Sequence, residues 1–339
     1  MKAVFVTGGA GFIGSAFVRT VLNEQADVSI INFDALTYAG NLENLRDIDD
    51  HRHAFVLGDI CDREAVLKAM PAECDAVINI AAESHVDRSI SSADEFLRTN
   101  IIGTQVLLDA AREKGVRRFV QVSTDEVMGT LPEDENAYFT EDFPLQPNSP
   151  YAASKAAAEL VVRAARETFG LDTVVTRCGN NYGPRQFPEK LIPLMIANAM
   201  NDEPLPVYGD GRNVRDWIYV DDHCRAIWLA LENGASGDVY NIGARNERLN
   251  IEVVTSILDA LGKPHSLIEF IADRPGHDRR YAIDPTKAEN KLGWKPLATW
   301  EFGLESTIKW YMENKDWVNH IRNGEYREYY RTMYSSRLG

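Results

Sequence analysis

The first half of the chain alternates between short apolar runs and amphipathic helical patterns. The first helical pattern ends near residue 22. Three further helical patterns lie at about 62–70, 100–114 and 151–169. The apolar runs between them, each four to six residues long, predict buried strands at 3–7, 28–33, 54–57, 75–80, 119–122 and 173–177. Strands and helices that alternate at this spacing indicate an α/β fold with a doubly wound parallel sheet.

The pattern changes after residue 177, where Gly, Asn and Pro cluster in turn-rich segments. A helix at 221–231 and a strand at 239–242 then resemble the first half again and are expected to return to its sheet. We therefore predict two domains, the second smaller, discontinuous and C-terminal. The first comprises 1–177 and 212–243, and the second 178–211 and 244–339.

A glycine-rich turn follows the first strand. Gly9-x-Gly11-x-x-Gly14 matches the dinucleotide fingerprint in its strand–turn–helix context, where the helix N-terminus offers N–H groups to a pyrophosphate. Asp34 follows the second strand, where a carboxylate can accept hydrogen bonds from ribose hydroxyls and would repel a 2′-phosphate. We therefore predict a Rossmann-type domain that binds NAD rather than NADP.

Ligand-binding candidates follow several predicted strands, and in such sheets ligands lie beyond the carboxyl ends of the strands. We expect one crevice to collect these residues, and we interpret the nearby His85 as a loop histidine that hydrogen-bonds its neighbours. The strand-end residues are Asp34, Asp59, Ala81, Ala82, Ser123 and Thr124.

Two pairs of reactive side chains lie close together in the sequence. Tyr151 and Lys155 are one helical turn apart, and an ammonium beside a phenol favours the phenolate, a candidate proton acceptor. Asp125 and Glu126 are adjacent carboxylates at the end of the fifth strand. This combination predicts a site that performs several proton and hydride transfers.

Composition limits the partners. A net charge of −15 argues against nucleic acid or an anionic membrane surface as the main partner. The four scattered cysteines lack metal-ligand spacing and indicate reduced thiols, and no signal peptide or membrane span is evident, so we expect a cytoplasmic protein without a metal. The Trp and Tyr residues between 310 and 334 are interpreted as packing and tail contacts.

Five arginines form a local excess of guanidinium groups in the second half of this acidic chain. A guanidinium group suits bidentate contacts to a diphosphate, and we favour that role for Arg215. The group comprises Arg212, Arg215, Arg274, Arg279 and Arg280.

Together these features resemble the extended branch of the short-chain dehydrogenase/reductase superfamily, and within it the dTDP-glucose 4,6-dehydratase family, up to about residue 310. The adjacent Asp125 and Glu126 separate this family from related epimerases and decarboxylases. Met128 stands next to the end of the active-site strand, where the family usually has Tyr, and its effect on the sugar pocket stays open. The segments that carry the resemblance are AESHVDRS (82–89), STDEV (123–127), SPYAASK (149–155), NNYGP (180–184), FPEKLIP (187–193) and RPGHD (274–278).

The resemblance implies a dehydratase (a lyase) of deoxysugar biosynthesis that forms a 4-keto-6-deoxyglucose. Tyr151, kept as phenolate by Lys155 and the positive nicotinamide, would take the 4-hydroxyl proton while C4 is oxidised. Glu126 would then remove the C5 proton, Asp125 would protonate the departing 6-hydroxyl, and hydride would return to C6. Thr124 would hydrogen-bond the sugar near O4. NAD would stay tightly bound and be recycled in each turnover.

By the same resemblance, two sets of residues would contact ligands. Those at the cofactor are Gly8, Gly11, Phe12, Ile13, Gly14, Asp34, Ala35, Leu36, Thr37, Asp59, Ile60, Ala81, Ala82, Thr99, Ser123, Tyr151, Lys155 and Asn181. Those at the nucleotide sugar are Ser84, Thr124, Asn180, Glu189, Lys190, Leu191, Pro206, Tyr208, Arg215, Asn250, Arg274 and His277.

The family is typically a homodimer that packs the helices beginning near Asn100 and Tyr151, whose Ala, Leu and Val faces are also compatible with docking on the sheet. Three alternatives stay open at this point. The substrate could be UDP-glucose, the enzyme could be a nucleotide-sugar 4-epimerase, or the chain could be an NAD-binding module without turnover.

Overall fold

A parallel sheet forms the centre of the protein in the computed structural model, which describes residues 2–132 and 136–322. The predicted tail contacts beyond residue 322 lie outside the described residues. In chain order the strands are β1 (Ala3–Thr7), β2 (Ser29–Asp34), β3 (His53–Leu57), β4 (Ala76–Asn79), β5 (Arg118–Thr124), β6 (Thr173–Cys178), β7 (Asn180–Tyr182), β8 (Leu205–Tyr208), β9 (Val214–Tyr219), β10 (Val239–Ile242), β11 (Glu247–Leu249) and β12 (Ile268–Ile271).

The helices between these strands carry ordinary start and stop signals. For example, Ser149 caps α6 by accepting a hydrogen bond from the N–H of Ala152, Pro150 occupies the first turn, and Gly170 ends the helix at φ 71°. The α-helices are α1 (Phe12–Glu24), α2 (Arg63–Ala69), α3 (Val86–Ser91), α4 (Asp94–Leu97), α5 (Thr104–Glu113), α6 (Pro150–Phe169), α7 (Leu191–Met200), α8 (Val220–Asn233), α9 (Asn250–Leu261), α10 (Thr286–Leu292), α11 (Trp300–Glu313) and α12 (Lys315–Arg322).

Seven strands form the central sheet in the order β10-β6-β5-β4-β1-β2-β3, and every pair in it is parallel. This confirms the predicted doubly wound sheet and the return of the 239–242 strand to it. The order reverses direction between β1 and β4, so a crevice opens beyond their carboxyl ends. The predicted helix at 100–114 begins instead with a π-helical segment, Arg98–Gly103, that leads into α5.

Apolar side chains cover both faces of this sheet, as the continuous apolar strands require. One face packs against α1, α8 and α10 around Phe17, Ile227 and Trp294. The other packs against α2, α5 and α6 around Phe119 and Leu107. Among the described residues, no helix has both the length and the apolar character needed to cross a membrane.

A second core lies beside the crevice and forms a lid over it. It is built on two small sheets, β11-β9-β7 and β12-β8, and on α7, α9, α11 and α12. Strand β9 falls inside the predicted first domain but pairs with β7 and β11. The two-domain division itself stays a prediction.

A buried ion pair ties α6 to the sheet behind the crevice. Arg177 donates to both carboxylate oxygens of Glu159, with 2.8 Å between Nη2 and Oε2, and both side chains are almost fully buried. The Met128 sulfur lies 3.6 Å from Nη1 of Arg177, in a small core with Phe139 and Tyr281. Met128 is fully buried there and does not line the crevice, so an influence on the sugar would have to act through its neighbours.

Replacing Arg177 should test the contribution of this pair. Arg177→Met leaves the Glu159 carboxylate buried without its partner, and we expect the free energy of unfolding to fall by about 3–5 kcal/mol. Urea unfolding followed by circular dichroism measures the change. The matched control is Arg163→Met, because Arg163 forms an exposed pair with Glu167 and should change stability by less than about 1 kcal/mol. Equal effects of the two substitutions would contradict the expectation.

Candidate active site

The turn between β1 and α1 brings the backbone close to any group bound above it. A Cβ on Gly14 would lie 2.1 Å from the carbonyl oxygen of Gly8, and one on Gly8 would lie 2.6 Å from the backbone nitrogen of Ala81. Gly11, the N-cap of α1, provides no side-chain cap, which leaves the first N–H groups of the helix available to an anion. Gly8, Gly11 and Gly14 line the crevice.

Gly9 has a different place from the one that the fingerprint assigned to it. A Cβ there would meet the side chain of Asn32 at 2.1 Å, and Gly9 does not line the crevice. Thus Gly9 is needed for packing against β2, and the crevice-facing glycines follow the spacing Gly8-x-x-Gly11-x-x-Gly14.

Asp34 connects this turn to the end of β2. Its carboxylate accepts hydrogen bonds from the N–H of Ala10 (2.9 Å) and the N–H of Leu36 (2.8 Å). Burial raises the pKa of Asp34, and these two N–H groups oppose that rise. Leu36 has a left-handed φ of 51° and does not line the crevice, unlike the other predicted cofactor contacts.

The far end of the chain supports the same turn. The Trp317 indole N–H on α12 donates to Oδ1 of Asn44 (3.0 Å), and the Asn44 amide donates to the carbonyl of Ala10 (2.9 Å). Asn44 and Trp317 are both buried. Helix α12 therefore braces the glycine-rich turn through one side chain.

Helix α6 places Tyr151 and Lys155 along the crevice. The N–H of Tyr151 donates to the hydroxyl of Ser89 (3.2 Å), and Nζ of Lys155 donates to the carbonyl of Val122 on β5 (2.7 Å). Ser154 lies between them and accepts a hydrogen bond from the amide of Asn100 (2.8 Å). The helix is thus fixed to β5 and to the π-helical segment at the site itself.

The acidity of Tyr151 differs from the sequence-based expectation. Burial raises the pKa of its phenol well above the usual value, and the charges of Glu126, Cys178 and Asp125 add to the rise. Burial also lowers the pKa of Lys155 to about 8. Within the chain alone, burial and the neighbouring carboxylates thus oppose ionisation of the phenol, and the phenolate predicted from Lys155 and the nicotinamide stays a prediction.

Asp125 and Glu126 lie in a 3₁₀ turn directly after β5. Thr124 caps this turn, accepting a hydrogen bond from the N–H of Glu126 (3.3 Å) and donating to Oδ1 of Asp125 (3.2 Å). Oδ2 of Asp125 is buried and has no hydrogen-bond partner within the described residues. The two adjacent carboxyl groups thus face the crevice in different hydrogen-bonding environments.

Their pKa values are both raised, but by different amounts. For Asp125 the rise is large, first from burial and then from the charge of Glu126. For Glu126 burial is again the first cause, but Arg274, Lys190 and Arg215 oppose it. The environment therefore raises the pKa of Asp125 more than that of Glu126, which is the order that an acid and a base at adjacent positions require.

Those three cations come from separate parts of the lid. Nζ of Lys190 donates to the carbonyl of Ser84 (2.7 Å), which connects the lid to the loop after β4. The Arg215 guanidinium donates to the carbonyl of Asp278 (2.8 Å) and stacks over the Tyr281 ring at 4.2 Å. The lid therefore adds positive charge to a crevice in an acidic protein.

The structure brings the predicted site residues into one crevice, with the exception of Leu36. The predicted roles of these residues stay predictions. His85 is buried, and its Nδ1 accepts a hydrogen bond from the N–H of Arg88 (3.3 Å), in agreement with the interpretation as a neighbour-bonding histidine. No group of metal-binding side chains occurs within residues 2–132 and 136–322.

Some crevice residues had no predicted role, although position alone could have indicated them. Cys178 ends β6, at the same edge of the sheet as the other strand-end residues. Asp87 is inside the AESHVDRS segment and follows β4 closely, but it was given no function. Trp217 lies two residues after Arg215 on β9 and therefore points to the same face.

Comparisons with known proteins agree with this arrangement. The family model described as GDP-mannose 4,6 dehydratase matches residues 5–307. The dTDP-glucose 4,6-dehydratase of Shigella flexneri is 48% identical, with 98% of this chain and 99% of that protein covered. The enzyme of the same name from Neisseria meningitidis is 51% identical, with 96% and 98% covered. This chain belongs to the dTDP-glucose 4,6-dehydratase family.

Solved structures support the same assignment. The dTDP-glucose 4,6-dehydratase DesIV from Streptomyces venezuelae, solved with NAD bound, superimposes with a TM-score of 0.91 at 49% identity and covers 94% of this chain and 99% of its own. A UDP-glucose 4-epimerase from Thermotoga maritima has a TM-score of 0.85 at 31% identity, with 92% and 99% covered. The fold is thus shared with epimerases, while the higher identity lies with dehydratases.

Gly14 offers a test of the glycine-rich turn. In Gly14→Ala the new methyl group would displace the backbone at Gly8, so we expect the dissociation constant for NAD to rise at least about tenfold, or about 1.4 kcal/mol. Isothermal titration of NAD-free protein measures it. In the control Gly262→Ala the Cβ meets open space at φ 63°, so stability should fall by about 1 kcal/mol with NAD binding unchanged. Wild-type affinity in Gly14→Ala would contradict the proposed approach of the cofactor.

Proposed function

We propose that this protein is an NAD-dependent dTDP-glucose 4,6-dehydratase that forms dTDP-4-keto-6-deoxyglucose for deoxysugar biosynthesis. The observation that carries the proposal is the pair of carboxyl groups, Asp125 and Glu126, in the same crevice as Tyr151 and the glycine-rich turn. An enzyme that only oxidises and reduces C4 has no use for an acid and a base at C5 and C6.

The residues of the crevice fit NAD. The turn at Gly8 and Gly14 has no space for a side chain, so its backbone can approach a pyrophosphate closely. Asp34, at the end of β2, is placed to accept hydrogen bonds from the ribose hydroxyls. The Ser123 hydroxyl is buried at the end of β5 and has no partner within the described residues, so it can serve the nicotinamide end. When bound, NAD supplies the hydride acceptor for C4, the hydride donor for C6 and a positive charge beside the phenol.

Tyr151 is the proposed base for the 4-hydroxyl proton. Because burial and the nearby carboxylates raise the pKa of its phenol, deprotonation depends on positive charge added at the site together with Lys155. Thr124, at the end of β5, holds the sugar near O4 in this proposal. Removal of the 4-hydroxyl proton, together with loss of hydride from C4 to bound NAD, would yield the ketone that makes the C5 proton acidic.

Glu126 and Asp125 then divide the elimination of water between them. Glu126, whose charge the lid cations favour, takes the C5 proton, and Asp125 gives its proton to the departing 6-hydroxyl. After reduction at C6, Glu126 delivers to C5 a proton that has exchanged with solvent. The larger rise in the pKa of Asp125 than in that of Glu126 supports Asp125 as the acid and Glu126 as the base.

The lid holds the nucleotide in this proposal. Arg215 and Asn180 face the diphosphate, while Glu189 and Lys190 contact the sugar. Burial raises the pKa of Glu189 to about 7. These contacts rest on the resemblance and on the place of each residue in the crevice.

Incubation in deuterated water tests the reaction. We expect dTDP-glucose to give a 4-keto-6-deoxy product that carries deuterium at C5, because the C5 proton exchanges with solvent through Glu126. Mass spectrometry and NMR measure the label, and a parallel incubation with UDP-glucose compares the nucleotides. Recovery of only glucose and galactose derivatives would indicate an epimerase, and NAD binding without any conversion would indicate a module without turnover.

Glu126→Gln separates oxidation from elimination. The amide cannot accept the C5 proton, so dehydration should fall by at least about 100-fold while C4 oxidation continues. Absorbance of the reduced cofactor and release of the 4-keto-6-deoxy sugar measure the two steps. Glu73→Gln, at an exposed position, is the matched control and should behave as wild type. Undiminished dehydration in Glu126→Gln would refute the assignment of the base.

A homodimer is part of the proposal. An apolar stripe runs along the outer face of α6 through the exposed Ala153, Leu160 and Ala164, and Ile102 is exposed on the adjacent π-helical segment. Spacings of seven and four residues place the three α6 side chains on one helix face. A second copy packing the same helices would cover this stripe. The proposed location is the cytoplasm, since all four cysteines are free thiols.

Leu160→Glu tests the dimer. A charge in the centre of the stripe should convert the dimer into a monomer, because a buried unpaired carboxylate opposes association. Light scattering after size-exclusion chromatography measures the mass. Leu297→Glu is the control, since Leu297 is equally exposed but lies outside α6. A monomeric wild-type protein would contradict the proposal.

A further inference from the structure

Asp87 is a buried carboxylate on α3 that receives two donors from the lid. Its Oδ1 accepts a hydrogen bond from Nη1 of Arg274 (3.0 Å), and its Oδ2 accepts one from the hydroxyl of Tyr208 (3.0 Å). The Asp87 side chain is only 4% exposed. One carboxylate is therefore shared between two separate segments of the lid.

The two donors come from distant parts of the sequence. Tyr208 ends β8, and Arg274 lies in the RPGHD segment after β12. The Tyr208 ring also contacts the ring of His277, with centroids 6.0 Å apart, and the Arg274 guanidinium lies 5.8 Å from the Tyr208 ring. These three side chains form one wall of the crevice, and Asp87 joins that wall to the domain that holds the glycine-rich turn.

Asp87 compensates the buried positive charge of Arg274. Arg274 is four-fifths buried, and its Nε has no hydrogen-bond partner within the described residues. A guanidinium that loses its carboxylate under these conditions is left with an uncompensated charge, which favours movement toward water. Without Asp87, the orientation of both Arg274 and Tyr208 would therefore be free to change.

We propose that Asp87 is a positioning residue that fixes the lid wall formed by Tyr208, Arg274 and His277, and thereby sets affinity for the nucleotide part of the substrate. The inference rests on the proposed function, in which this wall contacts the nucleotide sugar. Asp87 acts through its two partners and takes no part in proton transfer, which belongs to Tyr151, Glu126 and Asp125.

The test uses Asp87→Asn in the NAD-loaded protein. Asn has the same shape but no charge and presents a donor where a carboxylate oxygen accepted a hydrogen bond. We expect the dissociation constants for dTDP and UDP, measured by titration calorimetry, to rise at least about tenfold for whichever the wild type binds. The KM for the nucleotide sugar should rise in parallel, while kcat at saturation changes less than about threefold.

Two further variants make the result specific. Tyr208→Phe keeps the ring and removes only the hydroxyl donor, so it should weaken binding about threefold, and the double variant should bind no more than about twofold weaker than Asp87→Asn alone. That lack of additivity is the expected sign of a shared contact. If Asp87→Asn does not fold, Tyr208→Phe still tests the contact between Tyr208 and Asp87. Asp49→Asn, at an exposed position, is the charge-matched control and should bind as wild type.

Unchanged diphosphate binding in Asp87→Asn would overturn the inference and leave the proposed function standing. A fall in kcat at unchanged affinity would also overturn it, because it would place Asp87 in the chemistry. Wild-type protein that binds neither diphosphate would overturn the proposed function and this inference with it.

Discussion

Two neighbouring carboxyl groups buried at the end of β5 set the electrostatic conditions of the site. Burial raises the pKa of both groups and so favours the acid form of each, whereas elimination of water needs one acid and one base. Positive charge from the lid acts mainly on Glu126, through Arg274, Lys190 and Arg215. Asp125 experiences Arg215 but also the opposing charges of Glu126 and Asp216. The lid therefore contributes to the electrostatics of both carboxyl groups.

This dependence explains why the lid is attached so firmly to the sheet domain. Lys190 reaches the loop after β4, and Asp87 on α3 accepts hydrogen bonds from Tyr208 and Arg274. Each contact joins a segment that follows a central strand to one that is far away in the chain. The same cations that tune Glu126 are thus held by the loops that surround the crevice.

Much of the fold could be predicted from local patterns. Continuous apolar runs identified the parallel strands, and the start signal at Ser149 and Pro150 identified α6, because both depend on nearby residues. Short elements such as α3 and α4 were missed, since six and four residues are too few to show a helical period. Strand ends were informative about the site because parallel strands bring their carboxyl ends to one edge.

Other features depend on contacts that no local pattern contains. Gly9 and Gly8 are equivalent in sequence, and only the approach of Asn32 and Ala81 distinguishes packing from cofactor contact. Met128 follows the reactive carboxylates but turns toward Arg177. Burial among carboxylates raises the pKa of Tyr151, which the spacing to Lys155 did not reveal. The sharing of Asp87 between two lid segments likewise required the tertiary structure.

The brace from Trp317 through Asn44 to Ala10 has a consequence for how the protein is made. A ribosome completes the glycine-rich turn among the first residues, but the side chain that supports it is added some three hundred residues later. During synthesis the sheet domain can therefore form before its cofactor turn has all of its supporting contacts. Full support for the dinucleotide becomes available only when the last described helix has been translated and has docked.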